Sequence, residues 1–153
     1  MYLPRIVDAE VERGLRVAGA LFLKGPRASG KTSTARQFAK SAIQLDRDSP
    51  EANLARMQPA LELEGARPRL IDEWQVVPAI WNEVRHAVDD SPEKGQFLLT
   101  GSSTPDDDAI RHSGAGRIRS IQLRTLSLAE RGIAADRVSL GSILSLIHIS
   151  EPT

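Results

Sequence analysis

The sequence has no cysteine among its 153 residues, and none of its apolar runs is long. The first absence excludes disulfides and thiolate metal sites. The second excludes a membrane helix, which needs about 20 apolar residues. Because 20 basic residues balance 20 acidic ones, net charge indicates neither nucleic acid nor a membrane surface as a partner. Residues 1–5 lack the apolar core of a signal peptide, so we expect one globular domain in the cytoplasm.

Hydrophobic spacing predicts strands that alternate with helices. The candidate strands are residues 20–23, 42–46, 68–74, 95–103 and the stretch around Ile121 and Leu123. The candidate helices are the stretch with Val7, Val11 and Leu15, the run with Ala35, Phe38, Ala39 and Ala42, residues 51–66, and the run after Pro78 with Ile80, Trp81, Val84, Ala87 and Val88. This alternation predicts an α/β fold with a mostly parallel central sheet.

Residues 25–32, GPRASGKT, match the pattern G-x-x-x-x-G-K-[ST] at every fixed position. Gly25 and Gly30 permit a tight turn whose backbone N–H groups form a nest at the positive end of the next helix. Lys31 can reach β- and γ-phosphates, and the Thr32 hydroxyl can ligate Mg²⁺. The sequence therefore predicts a P-loop NTPase three-layer sandwich. The expected nucleotide-binding residues of the loop are Gly25, Pro26, Arg27, Ala28, Ser29, Gly30, Lys31, Thr32 and Ser33.

Two acids end the candidate strand RLIDEW. Downstream of a P-loop, Asp72 would hold Mg²⁺, usually through water, and Glu73 would orient or deprotonate an attacking water. The alternative is a pair of solvated acids at a strand end. Trp81 is expected in the core, whereas Trp74 can flank the site.

Polar residues at the end of LLTGSS place Thr100 or Ser102 beside the γ-phosphate, provided that this strand neighbours the Asp72 strand. The choice between the two stays open, and a plain turn is the alternative.

A basic stretch, RHSGAGRIR, offers Arg111, His112, Arg117 and Arg119. Arg117, approached through Gly114 and Gly116, would stabilise charge on a transferring phosphate, within one chain or across a subunit interface. The alternatives are a solvated loop and a contact with a nucleic-acid backbone.

The stretch LDRD supports a different reaction. Asp46 or Asp48 would handle an acceptor hydroxyl in a small-molecule kinase, or else form a turn and helix cap. The three histidines, His86, His112 and His148, lack partners at metal-ligand spacing.

Seven motifs occur in one order, namely YLPRIVD, GPRASGKT, PRLIDEWQ, IWNEVR, FLLTGSS, HSGAGRI and SLAERG. In that order the chain resembles prokaryotic AAA-class ATP-binding proteins that carry a C-terminal domain of unknown function. The resemblance implies one further strand between the Lys31 loop strand and the Asp72 strand. It also implies ATP rather than GTP, with Mg²⁺. Lys31, Thr32, Asp72, Glu73 and the Thr100 or Ser102 position take the corresponding roles, while the role of Arg117 is not fixed.

Residues 144–153, LSLIHISEPT, resemble the translation of a sequencing adapter rather than a native strand. We therefore expect an AAA-like ATPase domain over residues 1–143, truncated, and a non-native tail over residues 144–153.

The sequence predicts Mg²⁺-dependent ATP binding and hydrolysis, with Glu73, Lys31 and Arg117 as catalytic residues and Thr32 and Asp72 as metal ligands. The energy would pass to the missing C-terminal domain or to a protein partner. A homo-oligomer is left open, and no membrane or nucleic acid is expected as a partner. The alternatives are a small-molecule phosphotransferase and a non-catalytic nucleotide-sensing module.

Overall fold

The computed structural model describes residues 1–102 and 116–132 of the chain. Its strands are β1 (Ala20–Lys24), β2 (Ser41–Gln44), β3 (Arg69–Asp72), β4 (Phe97–Gly101) and β5 (Ile118–Gln122). Its helices are α1 (Asp8–Val17), α2 (Lys31–Phe38), α3 (Pro50–Met57) and α4 (Ala79–Asp90), with 3₁₀ turns at Pro59–Leu63 and Trp74–Val76. None of the described helices combines the length and the apolar character needed to span a bilayer.

All five described strands pair in parallel, in the order β2-β3-β4-β1-β5. This confirms the predicted α/β fold with a parallel sheet. Strand β4 lies between β1 and β3, which is the separation that the resemblance implies. Because the strands are parallel, their carboxyl ends meet at one edge of the sheet. The loop after β1 and the two acids at the end of β3 therefore lie on the same edge.

The sheet is covered on both faces, which gives the three layers of the predicted sandwich. On one face, Phe22 packs edge-on against Trp74 and Trp81, with centroids 6.0 and 5.6 Å away. On the other face, Leu21 and Leu23 belong to a cluster that α1 and α2 cover. Trp81 is a core residue as expected, and Trp74, which was expected to be able to flank the site, is buried beside it.

Several element boundaries differ from the sequence-based expectations. Helix α2 ends at Phe38, and Ala42, which the sequence placed both in the helical run and in the candidate strand 42–46, lies in β2. The helix expected over 51–66 divides into α3 and a 3₁₀ turn at Pro59, which cannot continue the ladder of an α-helix. Expectations for Arg111, His112, Gly114, His148 and the tail at 144–153 fall outside the described residues.

A buried ion pair joins the two ends of the described chain. Arg5 Nε lies 3.1 Å from Glu130 Oε1, and both side chains are less than a tenth exposed. Glu130 also accepts hydrogen bonds from the backbone N–H of Ile6 at 2.8 Å and of Ser127 at 2.8 Å. These bonds, with that from Ser127 as the largest cause, lower the pKa of Glu130 from 4.5 to about 2.

We expect Glu130→Gln to lower the free energy of unfolding at neutral pH, because the neutral amide accepts these bonds less strongly. Since the folded pKa of about 2 lies below the ordinary 4.5, the carboxylate stabilises the fold fully above pH 4.5. This contribution disappears as the pH falls from 4.5 towards 2. Urea unfolding at several pH values should show the gap between wild type and variant narrowing on acidification. Glu12→Gln, in an exposed pair, is the control. A gap that does not change with pH would contradict the expectation.

Candidate functional site

The loop after β1 makes a sharp turn into α2. Ala28 and Gly30 both adopt left-handed backbone, with φ of 60° and 87°. Gly25 is confined on both sides, because a Cβ there would lie 2.5 Å from the Leu123 carbonyl oxygen and 3.0 Å from Ser29 Oγ. Only a residue without a side chain fits such a close approach of two backbones.

Gly30 is the N-cap of α2, and no side chain caps the helix there. The first N–H groups of α2 therefore have no side-chain acceptor from the N-cap residue. These groups, together with the positive end of the helix dipole, favour an anion. The loop residues named from the sequence thus lie together around one helix N-terminus.

Lys31 is buried at the start of α2, although it carries a charge. Its Nζ donates to the carbonyl oxygens of Gly25 at 3.0 Å and Pro26 at 2.9 Å. The ammonium is thereby held against the loop, and no carboxylate among the described residues pairs with it. Phosphate oxygens are stronger acceptors than these carbonyls, so the charge can be redirected to an anionic ligand.

Three side chains of the site donate hydrogen bonds to the carboxylate of Asp72. Its Oδ1 accepts hydrogen bonds from Thr32 Oγ1 at 2.7 Å and from Thr100 Oγ1. Its Oδ2 accepts one from Gln44 Nε2 at 3.4 Å. The carboxylate is buried, and its partners come from α2, β4 and β2. Thr32 and Asp72 therefore offer adjacent oxygen atoms of the kind that Mg²⁺ prefers.

Glu73 follows Asp72 in left-handed backbone, with φ of 58° and ψ of 52°. Its N–H donates to Thr100 Oγ1 at 3.1 Å, and its Oε2 accepts from Gln75 Nε2. A non-glycine residue in this region costs about 1–3 kcal/mol and requires support from its surroundings. The turn directs the Glu73 side chain differently from that of Asp72, so the two carboxylates have different hydrogen-bond partners.

Thr100 is fully buried between Asp72 and the Glu73 backbone, whereas Ser102 is exposed just beyond β4. Of the two residues left open by the sequence, Thr100 is thus the one in contact with both acids.

Arg117 lies away from these residues. Its carbonyl accepts from Ala20 N at 3.2 Å, which places it at the amino end of β1, and its Nε pairs with Asp89. The loop is at the carboxyl end of the same strand, about 13 Å away at 3.3 Å per residue. The fold does not bring Arg117 to the loop of its own chain.

The other candidate residues are distributed as follows. Asp46 and Asp48 lie on the exposed surface before α3. Asp48 accepts from Asn53 Nδ2 at 3.2 Å, while Ser49 caps the helix through Ala52 N. In the described ranges, no group of His, Asp and Glu residues could hold a metal ion by itself.

Sequence reasoning missed the residues that support the site. Three of them contact predicted site residues directly: Gln44 contacts Asp72, Gln75 contacts Glu73 and Arg5 contacts Ser29. The fourth, Glu130, pairs with Arg5. A cavity of about 430 Å³ also lies beside the loop, where residues 1–5 meet Gly30, Ser33 and Leu126.

One signal was available for Glu130, because S-x-x-E at 127–130 is the pattern of a capping box. The bonds from Ser127 N to Glu130 Oε2 and from Glu130 N to Ser127 Oγ form that box.

The chain is similar to known proteins in sequence and in structure. The family model described as "AAA domain" matches residues 18–131. The uncharacterized proteins Rv2008c of Mycobacterium tuberculosis and Mb2031c of Mycobacterium bovis are each 34% identical to the chain over 141 residues. The alignments cover 89% of this chain and 32% of each relative, so the chain spans about a third of their length. The solved structure of C. elegans PCH-2 is similar at a TM-score of 0.48 and 17% identity, covering 94% of this chain and 47% of that one.

We expect Gly25→Ala to destabilise the protein by about 1–3 kcal/mol, because the new methyl group would press on the Leu123 backbone. Urea unfolding measures this cost. Gly14→Ala is the matched control, since its methyl group would meet the ends of the Leu21 side chain and its position in α1 favours alanine by about 1 kcal/mol. Equal stability losses for the two variants would contradict the close approach at Gly25.

Proposed function

The chain belongs to the AAA domain family, and from this membership we propose that it binds ATP with Mg²⁺ and hydrolyses it at the loop after β1. Membership in the family makes the chain a nucleotide-binding P-loop ATPase domain. The identity of the nucleotide, the metal and the reaction are our proposal. The observation that carries it is the convergence of Thr32 and Thr100 on the buried Asp72 carboxylate, at the edge where the loop begins α2.

Binding of the phosphates would begin with the loop. The N–H groups at the start of α2 would receive α- and β-phosphate oxygens, and Lys31 would exchange its two carbonyl partners for β- and γ-phosphate oxygens. The sugar and base of the nucleotide would extend from the loop into the adjoining cavity of about 430 Å³, which Gly30 and Ser33 help to line. Such a volume is in the range of small-ligand sites.

The metal ligands would be Thr32 and Asp72, the latter through water. Their oxygen atoms lie 2.7 Å apart and are hard donors, which fits Mg²⁺. When bound, Mg²⁺ would neutralise negative charge on the β- and γ-phosphate oxygens. Thr100 would keep Asp72 oriented through its own hydrogen bond to the same oxygen.

Glu73 would act on the attacking water. Its left-handed backbone turns it away from the Asp72 partners, and Thr100 fixes its N–H. The carboxylate would accept the proton of the water as it attacks the γ-phosphorus atom, and the bond from γ-phosphorus to the bridging oxygen of ADP would break. Thr100, rather than Ser102, would sense the γ-phosphate, since it contacts both acids.

The use of the energy is also a proposal. The chain spans about a third of its curated relatives, so a C-terminal part of such proteins, or a protein partner, would receive the conformational change. We also propose that residues 1–143 form the native ATPase portion and that residues 144–153 are a non-native tail.

We expect Glu73→Gln to retain ATP binding and to lower the rate of phosphate release by about 10²–10⁴-fold, the usual contribution of a general base. Lys31→Ala should lose binding itself. Fluorescent-nucleotide titration and a phosphate-release assay separate the two effects. Glu64→Gln, an exposed acid in the same chain, is the control. Unchanged turnover in Glu73→Gln would remove Glu73 from the reaction.

Arg117 would act on the nucleotide of a neighbouring protomer, because it lies at the opposite edge of the sheet from its own loop. We expect Arg117→Ala and Lys31→Ala to be inactive alone and to recover part of the turnover when mixed. In mixed oligomers, an intact loop on one protomer meets an intact arginine on the next. No recovery, in mixtures that co-assemble by light scattering and affinity pull-down, would contradict a role across the interface.

A further inference from the structure

Arg5 contacts the loop through its guanidinium group, next to Gly30 at the start of α2. Its Nη1 donates to the Ser29 carbonyl oxygen at 2.9 Å, and its Nη2 donates to the Arg124 carbonyl oxygen at 2.7 Å. Its Nε pairs with Glu130 at 3.1 Å. The guanidinium group therefore joins three separate segments of the chain, and its side chain is only 6% exposed.

The contact with Ser29 fixes the direction of a loop N–H. A trans peptide is planar, so its C=O and N–H point in opposite directions. Because Arg5 holds the Ser29 carbonyl, the Gly30 N–H of the same peptide points away from Arg5. Arg5 also packs against Gly30 itself, because a Cβ at that position would lie 2.9 Å from Nη1.

Glu130 holds Arg5 in this position. Both of its oxygen atoms are used, Oε1 by Arg5 and Ile6 and Oε2 by the N–H and hydroxyl of Ser127. The carboxylate is thus fixed by its own segment before it receives the arginine. A fixed acceptor leaves the planar guanidinium one orientation in which all three of its contacts are made.

We propose that Arg5 is a positioning residue for phosphate binding: it orients the Ser29–Gly30 peptide through the Ser29 carbonyl, and Glu130 holds it there. The inference rests on the proposed nucleotide site, and it places a determinant of phosphate affinity in the motifs YLPRIVD and SLAERG. Lysine cannot replace this arginine, since one ammonium group does not supply the planar fork that reaches three acceptors in fixed directions.

The test measures binding of ADP and of inorganic pyrophosphate without metal, at a temperature where every variant is folded. Pyrophosphate has no base or sugar, so it reports on the loop alone and not on the adjacent cavity that Arg5 also lines. The variants are Arg5→Lys, Glu130→Gln and the double variant. Arg16→Lys, in an exposed pair with Glu12, is the matched control, and Lys31→Ala tests the site itself. Thermal unfolding is recorded in parallel.

We expect Arg5→Lys to weaken ADP and pyrophosphate by the same factor, about tenfold or more, as for loss of a charge-assisted hydrogen bond. Glu130→Gln should weaken both ligands less, and the double variant should lose no more than Arg5→Lys, because the two residues act in series. Arg16→Lys should bind as wild type does. A residue that only stabilised the fold would shift the unfolding temperature and leave the affinities of the folded protein unchanged.

Two results would overturn the inference. One is wild-type affinity for both ligands in Arg5→Lys and Glu130→Gln while Lys31→Ala has lost them. The other is weaker ADP binding with unchanged pyrophosphate binding, which would place the effect of Arg5 in the cavity. If Arg5→Lys does not fold, Glu130→Gln decides, because it keeps the arginine. Failure of wild type to bind either ligand, or full binding by Lys31→Ala, would instead reject the proposed nucleotide site.

Discussion

The carboxylate of Asp72 is the constraint on which the rest of the site depends. It is buried, so its charge requires hydrogen bonds, and side chains from three other elements supply them. Thr32 links it to the start of α2, Thr100 to β4 and Gln44 to β2. A parallel sheet makes this convergence possible, because only the carboxyl ends of the strands meet there. Loss of one donor would leave the others around an imperfectly solvated charge.

The two buried charges of the site are satisfied without being paired to each other. Lys31 is bound by loop carbonyls, and Asp72 by hydroxyl and amide groups. A direct ion pair would use the Coulomb attraction within the protein and would have to be broken by a ligand. Neutral partners hold each group in place while its net charge remains. Neither charge is therefore cancelled by the other within the site.

Sequence patterns predicted the features that short motifs and hydrophobic spacing determine. The parallel α/β fold, the loop at 25–32 and the grouping of Thr32, Asp72 and Thr100 at one edge follow from strands that alternate with helices. The break of the predicted 51–66 helix was missed although Pro59, which cannot continue an α-helix, signals it in the sequence, and the end of α2 at Phe38 did not follow from the hydrophobic spacing. The position of Arg117 was missed, although a residue that directly precedes a strand of a parallel sheet lies at the amino ends of the strands, opposite the loop that follows β1.

Arg5 and Glu130 show a second reason for the limit of such prediction. A phosphate-binding loop has one side that faces the ligand and one side that faces the protein. The ligand side uses glycines, lysine and threonine at fixed spacing, so one short stretch reveals it. The other side is supported by residues 125 positions apart, and nothing in either stretch alone indicates the partner. Because the C=O and N–H bonds of a trans peptide point in opposite directions, the direction of the Gly30 N–H is set by that of the Ser29 carbonyl. Contacts from Arg5, which Glu130 holds, thus help to set the geometry of the loop from outside it.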